Sequence, residues 1–296
     1  MITIHLIDAS PYIFRAFYAL PRTIRDRDGQ PANAIYGFAS FLVKYLTEAR
    51  PTHVAVAFDQ NLNSSFRNQT LAAYKATRPA PPAELESQLA TCLEAARALG
   101  VAAFIDPDYE ADDLIATLVA RLDRRDRRFL VVSVDKDLAQ LVGERVQLCD
   151  PARSVRLDAA GVHARYGVHP HQIVDWLALA GDAVDNIPGV PGIGPKTAAD
   201  LLRRYGSLEA VYREVETLRR STQRGARALA ARLETHVETA ALSRQMAILS
   251  RDAPVRADLR TLRYTGIDED RARDLFARLG FGTLAARLVP RNSTGA

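Results

Sequence analysis

The chain has 296 residues, 48% of them hydrophobic, with no apolar run near the ~20 residues that cross a bilayer, so it reads as one large globular domain, or a domain with an appendage, and not as a membrane protein. Its net charge of +4 is uneven: from Lys196 onward 19 Lys and Arg face 12 Asp and Glu, whereas the preceding part holds 20 basic and 23 acidic residues. That asymmetry suits a polyanion held by the C-terminal part and cations held by the N-terminal part, with arginine-rich surface helices as the plain alternative.

Met1–Asp8 reads directly into a strand, and no secretory leader is expected. Apolar runs at 2–7, 53–58, 101–105, 129–134 and 145–149 predict buried strands. Helical patterns at Ala34–Ala49, Ala83–Leu99 and Asp112–Leu122 separate them. Strands without polar alternation, joined through helices, indicate a mostly parallel α/β sheet covered on both faces. The polar, basic stretch 61–82 ends in Pro79-Ala-Pro81-Pro82 and is too long for an idle connection, which makes it a candidate arch or lid. Cys92 and Cys149 lie in apolar patterns without metal-knuckle spacing, so they read as free thiols of a cytoplasmic protein rather than as a zinc site. After about residue 160 the pattern is helical, with breaks at Gly181, Pro188–Pro195 and Gly206. The expected division is an α/β domain at 1–160, a helical region at 161–290 and a tail at 291–296, with disorder expected from Val289.

Carboxylates mark the strand ends. Asp8 closes Leu6-Ile7-Asp8, Asp59 closes Ala57-Phe58-Asp59, and Asp135 closes Ser133-Val134-Asp135, with Asp137 two residues on. Open parallel sheets bind ligands at their carboxyl edge, so these acids are expected to converge on one rim. Glu110, Asp112 and Asp113 open a helix, with Glu110 and Asp113 on one face of its first turn, and Asp182 and Asp185 repeat the three-residue spacing. A single such aspartate is ordinarily a turn former or a helix cap. Nine acids on one rim repel severely unless cations neutralise them. Oxygen ligands without histidine or cysteine favour Mg²⁺ or Mn²⁺, and two ions roughly 4 Å apart suit phosphodiester cleavage.

The motifs in order are Leu6-Ile-Asp8-Ala-Ser10, Arg15-Ala-Phe17-Tyr18-Ala19, Ala34-Ile-Tyr36-Gly37-Phe38, Phe58-Asp59, Phe66-Arg67, Tyr74-Lys75, Arg78-Pro79, Tyr109-Glu110-Ala-Asp112-Asp113, Asp135-Lys136-Asp137-Leu138 and Gly181-Asp182-Ala-Val184-Asp185-Asn186-Ile187-Pro188-Gly189. Together they resemble the 5′-nuclease family, which includes the N-terminal domain of bacterial DNA polymerase I, phage 5′ nucleases and flap endonucleases. The resemblance runs to about residue 280. It implies a PIN-like sheet with a helical part containing a helix-hairpin-helix, and structure-specific 5′-3′ exonuclease and flap endonuclease activity by two-metal catalysis in DNA replication or repair. It assigns Asp8, Asp59, Glu110, Asp112, Asp113 and Asp135 to one Mg²⁺, and Asp135, Asp137, Asp182 and Asp185 to the other, with Mn²⁺ as a substitute. Ala9 and Val184 stand where glycine and serine are common, and neither removes an acid.

Basic side chains near a scissile phosphate neutralise developing charge, although each alone is ordinarily a solvated surface residue. The resemblance makes Lys75, Arg78 and Arg15 catalytic candidates, and it aligns Lys75 and Arg78 with arch residues that clamp the 5′ strand. Arg67 and Tyr74 are expected at the DNA, Tyr74 by stacking on an unpaired base, with a core role as its alternative. Pro191-Gly192-Ile193-Gly194-Pro195-Lys196-Thr197 is a glycine turn opening a helix. Gly192, Gly194, Lys196 and Thr197 are therefore expected at a phosphate backbone, with a tight ligand-free turn as the alternative; the resemblance to a helix-hairpin-helix, at about 186–204, implies K⁺ as a candidate ion there. Expected partners are branched, nicked or 5′-flap DNA, bound by a monomer. The competing readings are a catalytically weak DNA-binding relative and an RNA-directed PIN-type nuclease.

Overall fold

Six strands form one sheet in the order β3-β2-β1-β4-β5-β6. They are β1 (Ile2–Asp8), β2 (His53–Asp59), β3 (Ala102–Asp106), β4 (Arg127–Val132), β5 (Val146–Asp150) and β6 (Val155–Leu157). All pairings are parallel except β5–β6. The molecule is a computed structural model that describes residues 1–288. The expected tail and its disorder lie outside these residues. β6 was not anticipated: it has three residues, two of them exposed, and carries no apolar run to announce it.

The parallel pairing follows from the connections. α1 (Ser10–Ala19) and α2 (Asn33–Ala49) return the chain from β1 to β2. The 61–82 stretch holds only α3 (Arg67–Thr70), and α4 (Ala83–Ala98) then leads to β3. α5 (Ala111–Leu122) carries the chain across to the other side of β1, where β4 pairs. The strand order therefore reverses between β1 and β4, and that crevice is where open α/β sheets receive ligands.

Side chains alternate across each strand and divide the core in two. Ile4, Leu6, Ala55, Ala57, Phe129 and Val131 face α5 and the helical region, whereas Ile7, Val54, Val56, Phe58, Leu130 and Val132 face α1, α2 and α4. Both faces are covered, which is why the strands read as unbroken apolar runs.

The helical region continues with α6 (Ala159–Tyr166), α7 (Ile173–Ala180), α8 (Pro195–Tyr205), α9 (Leu208–Arg213), α10 (Val215–Arg220), α11 (Ala226–Thr235) and α12 (Val237–Ala247). Its last helices, α13 (Glu269–Arg278) and α14 (Gly282–Ala285), return to the far face. There Phe276 is fully buried, and Phe281 meets Tyr36 edge-on with centroids 5.1 Å apart. Among the described residues, no helix is long and apolar enough to cross a membrane.

Candidate active site

The carboxyl edge of the sheet opens into a cavity of about 230 Å³ lined by Asp8, Asp59, Glu110, Asp112, Asp135, Asp137 and Asp185. Asp8 and Asp59 are the last residues of β1 and β2. Their outer oxygens are tied by Ser133 Oγ, which donates to Asp8 at 2.7 Å, and by Ser10 Oγ, which donates to Asp59. Ala111 N donates to Asp59 at 2.7 Å and so fixes the start of α5 against β2. Asp135 lies three residues beyond β4, and its Oδ1 accepts from Asp137 N at 2.9 Å, which folds the two acids into one turn.

Asp182 and Asp185 arrive from a loop after α7. Gly181 and Gly189 hold its two ends together at positive φ, and Asp182 and Ile187 exchange backbone hydrogen bonds of 2.9 and 2.8 Å. A Cβ on Gly189 would stand 2.3 Å from Gly181 N, so only glycine permits the closure. Oxygens of Asp137, Asp182 and Asp185 lie within 4.8 Å of one another.

The electrostatics show what this costs. Burial, then Asp59, raises the Asp8 carboxyl well above its ordinary value. Burial, then Asp135 and Asp8, does the same to Asp112, and burial, then Asp135, to Asp137. Among the described residues the Asp112 carboxylate makes no hydrogen bond or ion pair, and Asp137 Oδ1 is buried without a hydrogen-bond partner, with Lys136 Nζ 3.7 Å away. A rim of hard oxygens, repelling one another and carrying an orphaned lone pair, fits divalent cations.

Basic side chains pair with these acids, and Lys75 and Arg78 line the same cavity. Lys75 Nζ pairs with Glu110 Oε1, Arg78 Nη2 with Asp185 Oδ1, and Lys136 Nζ with Asp182 Oδ2 at 2.6 Å. Burial pushes the Asp185 carboxyl up, but Lys75 and Arg78 outweigh it and hold it below the ordinary range. Lys136 was not singled out in the sequence. Its only signal was a cation between two acids, and that pattern is common on surfaces.

Four expected site residues are placed otherwise than expected: Arg67 and Tyr74 line the acid cavity but are bonded within the protein, whereas Asp113 and Arg15 do not line it. Asp113 is turned inward and fully buried: its Oδ1 accepts from Arg67 Nη2 and Ser250 N, and its Oδ2 from Arg67 Nη1 and Glu110 N. Both oxygens are committed, so it offers no open ligand position. Glu110 is the extended N-cap of α5 (φ −81°, ψ 162°) and Asp113 its N3 residue, and the two close a reciprocal capping box in which Arg67 Nη1 bonds both carboxylates.

Arg67 is 3% exposed and spends every donor inside the protein, on Glu110, Asp113, Met246 O and Ile248 O. It ties the base of the 61–82 segment to α5 and α12 and has nothing left for DNA. Tyr74, also 3% exposed, packs with Ile187 and Met246 at the wall of the acid cavity, and its hydroxyl donates to Glu110 Oε2 at 2.9 Å and lies 3.2 Å from Asp185 Oδ2. Arg15 is exposed on α1 and lines a neighbouring cavity that shares only Asp135 with the acid cavity.

In the glycine turn, Gly192 has φ 78°, and Gly194 caps α8 with open space where a Cβ would point. Lys196 is exposed and Thr197 half-buried in the first turn of α8. The helix before the turn is α7, which ends at Ala180, so the expected 186–204 bounds hold only the second of the two helices.

Known proteins share this architecture. Residues 3–167 match the family model of the 5′-3′ exonuclease N-terminal resolvase-like domain, and residues 168–270 match that of the 5′-3′ exonuclease C-terminal SAM fold. The chain is 40% identical over 288 residues to DNA polymerase I of Mycobacterium leprae, covering 96% of this chain and 31% of that protein. It is 39% identical over 292 residues to DNA polymerase I of Bacillus caldotenax, covering 97% and 32%. It thus spans about a third of the length of the curated relatives it matches.

Among solved structures, the bacteriophage T5 D15 protein co-crystallised with metal ions superposes with a TM-score of 0.67 at 18% identity, over 97% of each chain. The catalytic core of Rad2 with a DNA substrate superposes with a TM-score of 0.64 at 15% identity, over 97% of this chain and 93% of that one. These two structures share the fold. With the two family models filling residues 3 to 270 between them, the chain belongs to the 5′-3′ exonuclease family.

Proposed function

We propose that the chain is a divalent-metal-dependent DNA hydrolase of the cytoplasm, acting as a monomer at 5′ ends, nicks and flaps as exonuclease and flap endonuclease in replication or repair. The observation that carries this reading is the acid cavity at the strand-order reversal, flanked by the buried Lys75 and the half-buried Arg78 of the 61–82 segment.

Asp8, Asp59, Glu110, Asp112 and Asp135 would hold one Mg²⁺ or Mn²⁺, and Asp135, Asp137, Asp182 and Asp185 a second. When bound, the ions would supply Lewis-acid stabilisation of charge on the phosphate and acidify the attacking water. Ser10 and Ser133 orient the rim carboxylates. The 61–82 segment acts as the arch under which the 5′ strand passes, with Lys75 and Arg78 moving from carboxylate to phosphate as the strand enters. The α7–α8 turn, through Gly192, Gly194, Lys196 and Thr197, grips the duplex backbone, with K⁺ as its candidate ion. The α/β domain at 1–160 does the chemistry and the helical region at 161–290 holds the duplex.

The relatives named DNA polymerase I and the structural neighbours bound to DNA support the choice of DNA as substrate. A 5′-flap duplex incubated with Mg²⁺ should yield a released flap with a 5′ phosphate and 3′ hydroxyl, at a rate at least about 100-fold above Asp135→Ala. No cleavage above that variant would refute the reading.

A further inference from the structure

A second cavity of about 210 Å³ opens beside the acid cavity, and Asp135 lines both. Its cations come from separate parts of the chain: Arg15 from α1, Arg153 from the β5–β6 turn, and Arg165 from the end of α6, with the Tyr166 ring beside them. Asp150 also lines it, 3.7 Å from Arg153. Among the described residues Arg15 and Arg165 have no carboxylate partner. Each rests instead against an aromatic ring, Arg15 at 5.7 Å from Tyr12 and Arg165 at 5.4 Å from Tyr166.

Arginine is frequent on this surface, and exposed arginines without an acidic partner are ordinary. What differs at this spot is convergence. Three arginines from distant segments line one concavity at the carboxyl edge of β4 and β5, and two of them have no carboxylate partner among the described residues. A guanidinium fork without a carboxylate partner matches a phosphate oxygen pair.

The position narrows the ligand. Lys75 and Arg78 line the acid cavity and not the arginine cavity, and Asp135 is the residue the two linings share. A strand whose scissile phosphate sits at the acids, with its free 5′ end under the arch, continues away from the arch. We propose that the Arg15–Arg153–Arg165 cavity binds the phosphodiester on the duplex side of the scissile one, in the strand that is cut. The inference rests on the flap-nuclease reading for the path of the strand, but not on turnover. Free inorganic phosphate offers the same chemistry, and the test separates the two.

Binding is measured in Ca²⁺ to a series of 5′-flap duplexes, each with one neutral methylphosphonate at a successive position of either strand. The wild-type protein should lose about tenfold in affinity at one cut-strand position just on the duplex side of the scissile phosphate. Arg165→Ala and Arg165→Gln, with unchanged melting temperatures, should bind the unmodified flap about tenfold more weakly and show no further loss at that position. Orthophosphate at millimolar concentration should compete only weakly. Three results would each overturn the inference: position-specific losses that are the same in wild type and variants, a loss confined to the complementary strand, or full competition by orthophosphate with no position effect. Absence of cleavage in Mg²⁺ beside an intact binding pattern would refute the flap-nuclease reading and leave this one standing.

Discussion

Lys75 adopts φ 55°, a left-handed conformation that costs a non-glycine residue about 1 kcal/mol or more. Its backbone N–H donates to Asp185 O at 2.9 Å, and that anchor turns the side chain into the acid cavity instead of out to solvent. An ammonium held there stabilises charge that develops on a phosphate and adds little to duplex grip. Lys75→Ala should therefore lower single-turnover rate by roughly 100-fold or more while changing duplex affinity by less than about threefold. Equal losses in rate and affinity would move Lys75 from chemistry to binding. Arg67 makes the contrasting case. Its removal leaves Asp113 buried and unpaired, so Arg67→Ala should lower unfolding free energy by about 3–5 kcal/mol in urea titrations. A loss under about 1 kcal/mol would show that Asp113 finds another partner. Both arginine and lysine stand in the same basic stretch of sequence. What separates their roles is whether each donor is already used, and spacing does not carry that information.

The loop from Gly181 to Gly189 delivers two of the acids, and its geometry depends on two glycine backbones in contact. Gly189→Ala forces them apart. It should weaken Mn²⁺ binding at the Asp137–Asp182–Asp185 group by at least about tenfold in calorimetry, with helix content retained by circular dichroism. Unchanged affinity would mean that the loop re-closes by another route. At this scale the sequence was legible where chemistry and strand boundary coincide. Asp8 and Asp59 end apolar runs and do stand at strand ends on the rim. Asp106 also ends a strand, yet its Oδ1 only accepts from Asp108 N and Tyr109 N in a turn, the ordinary fate of such a residue. Glu110, Asp112 and Asp113 could not be sorted from spacing, because what separates their roles is the use of their oxygens: Asp113 spends both on Arg67 and backbone amides, whereas the Asp112 carboxylate is free of them.

The whole molecule responds to pH through its crowded rim. Asp8, Asp112, Asp137 and Glu110 are all raised in the folded state, with burial as the largest cause. The metal-free folded protein therefore keeps protons that the unfolded chain releases above about pH 4, and these groups make it less stable as pH rises from there through their folded values. Asp185, lowered, works in the opposite sense and gives up its contribution as pH falls below the ordinary carboxylate range. Divalent ions bind the deprotonated rim. The Mg²⁺-induced rise in melting temperature, read against EDTA, should be larger at about pH 8 than at about pH 5. A rise independent of pH would show that the rim acids are already ionised without metal. The parallel core was readable from apolar runs because both of its faces are covered, whereas the return of α13 onto α2 and α4 left no periodic signal that named its partner.

The central place of β1 also shapes how the protein is made. Its first strand pairs on one side with β2, fifty residues on, but its other edge stays bare until β4, beginning at Arg127, has been synthesised. At roughly 5–20 residues per second a ribosome needs several seconds to span that gap. Throughout it an apolar strand edge is open to the wrong neighbour. The topology that sets the acids at a reversal of strand order thus makes the nascent chain slow to close and prone to aggregate, and a candidate for chaperone holding during translation.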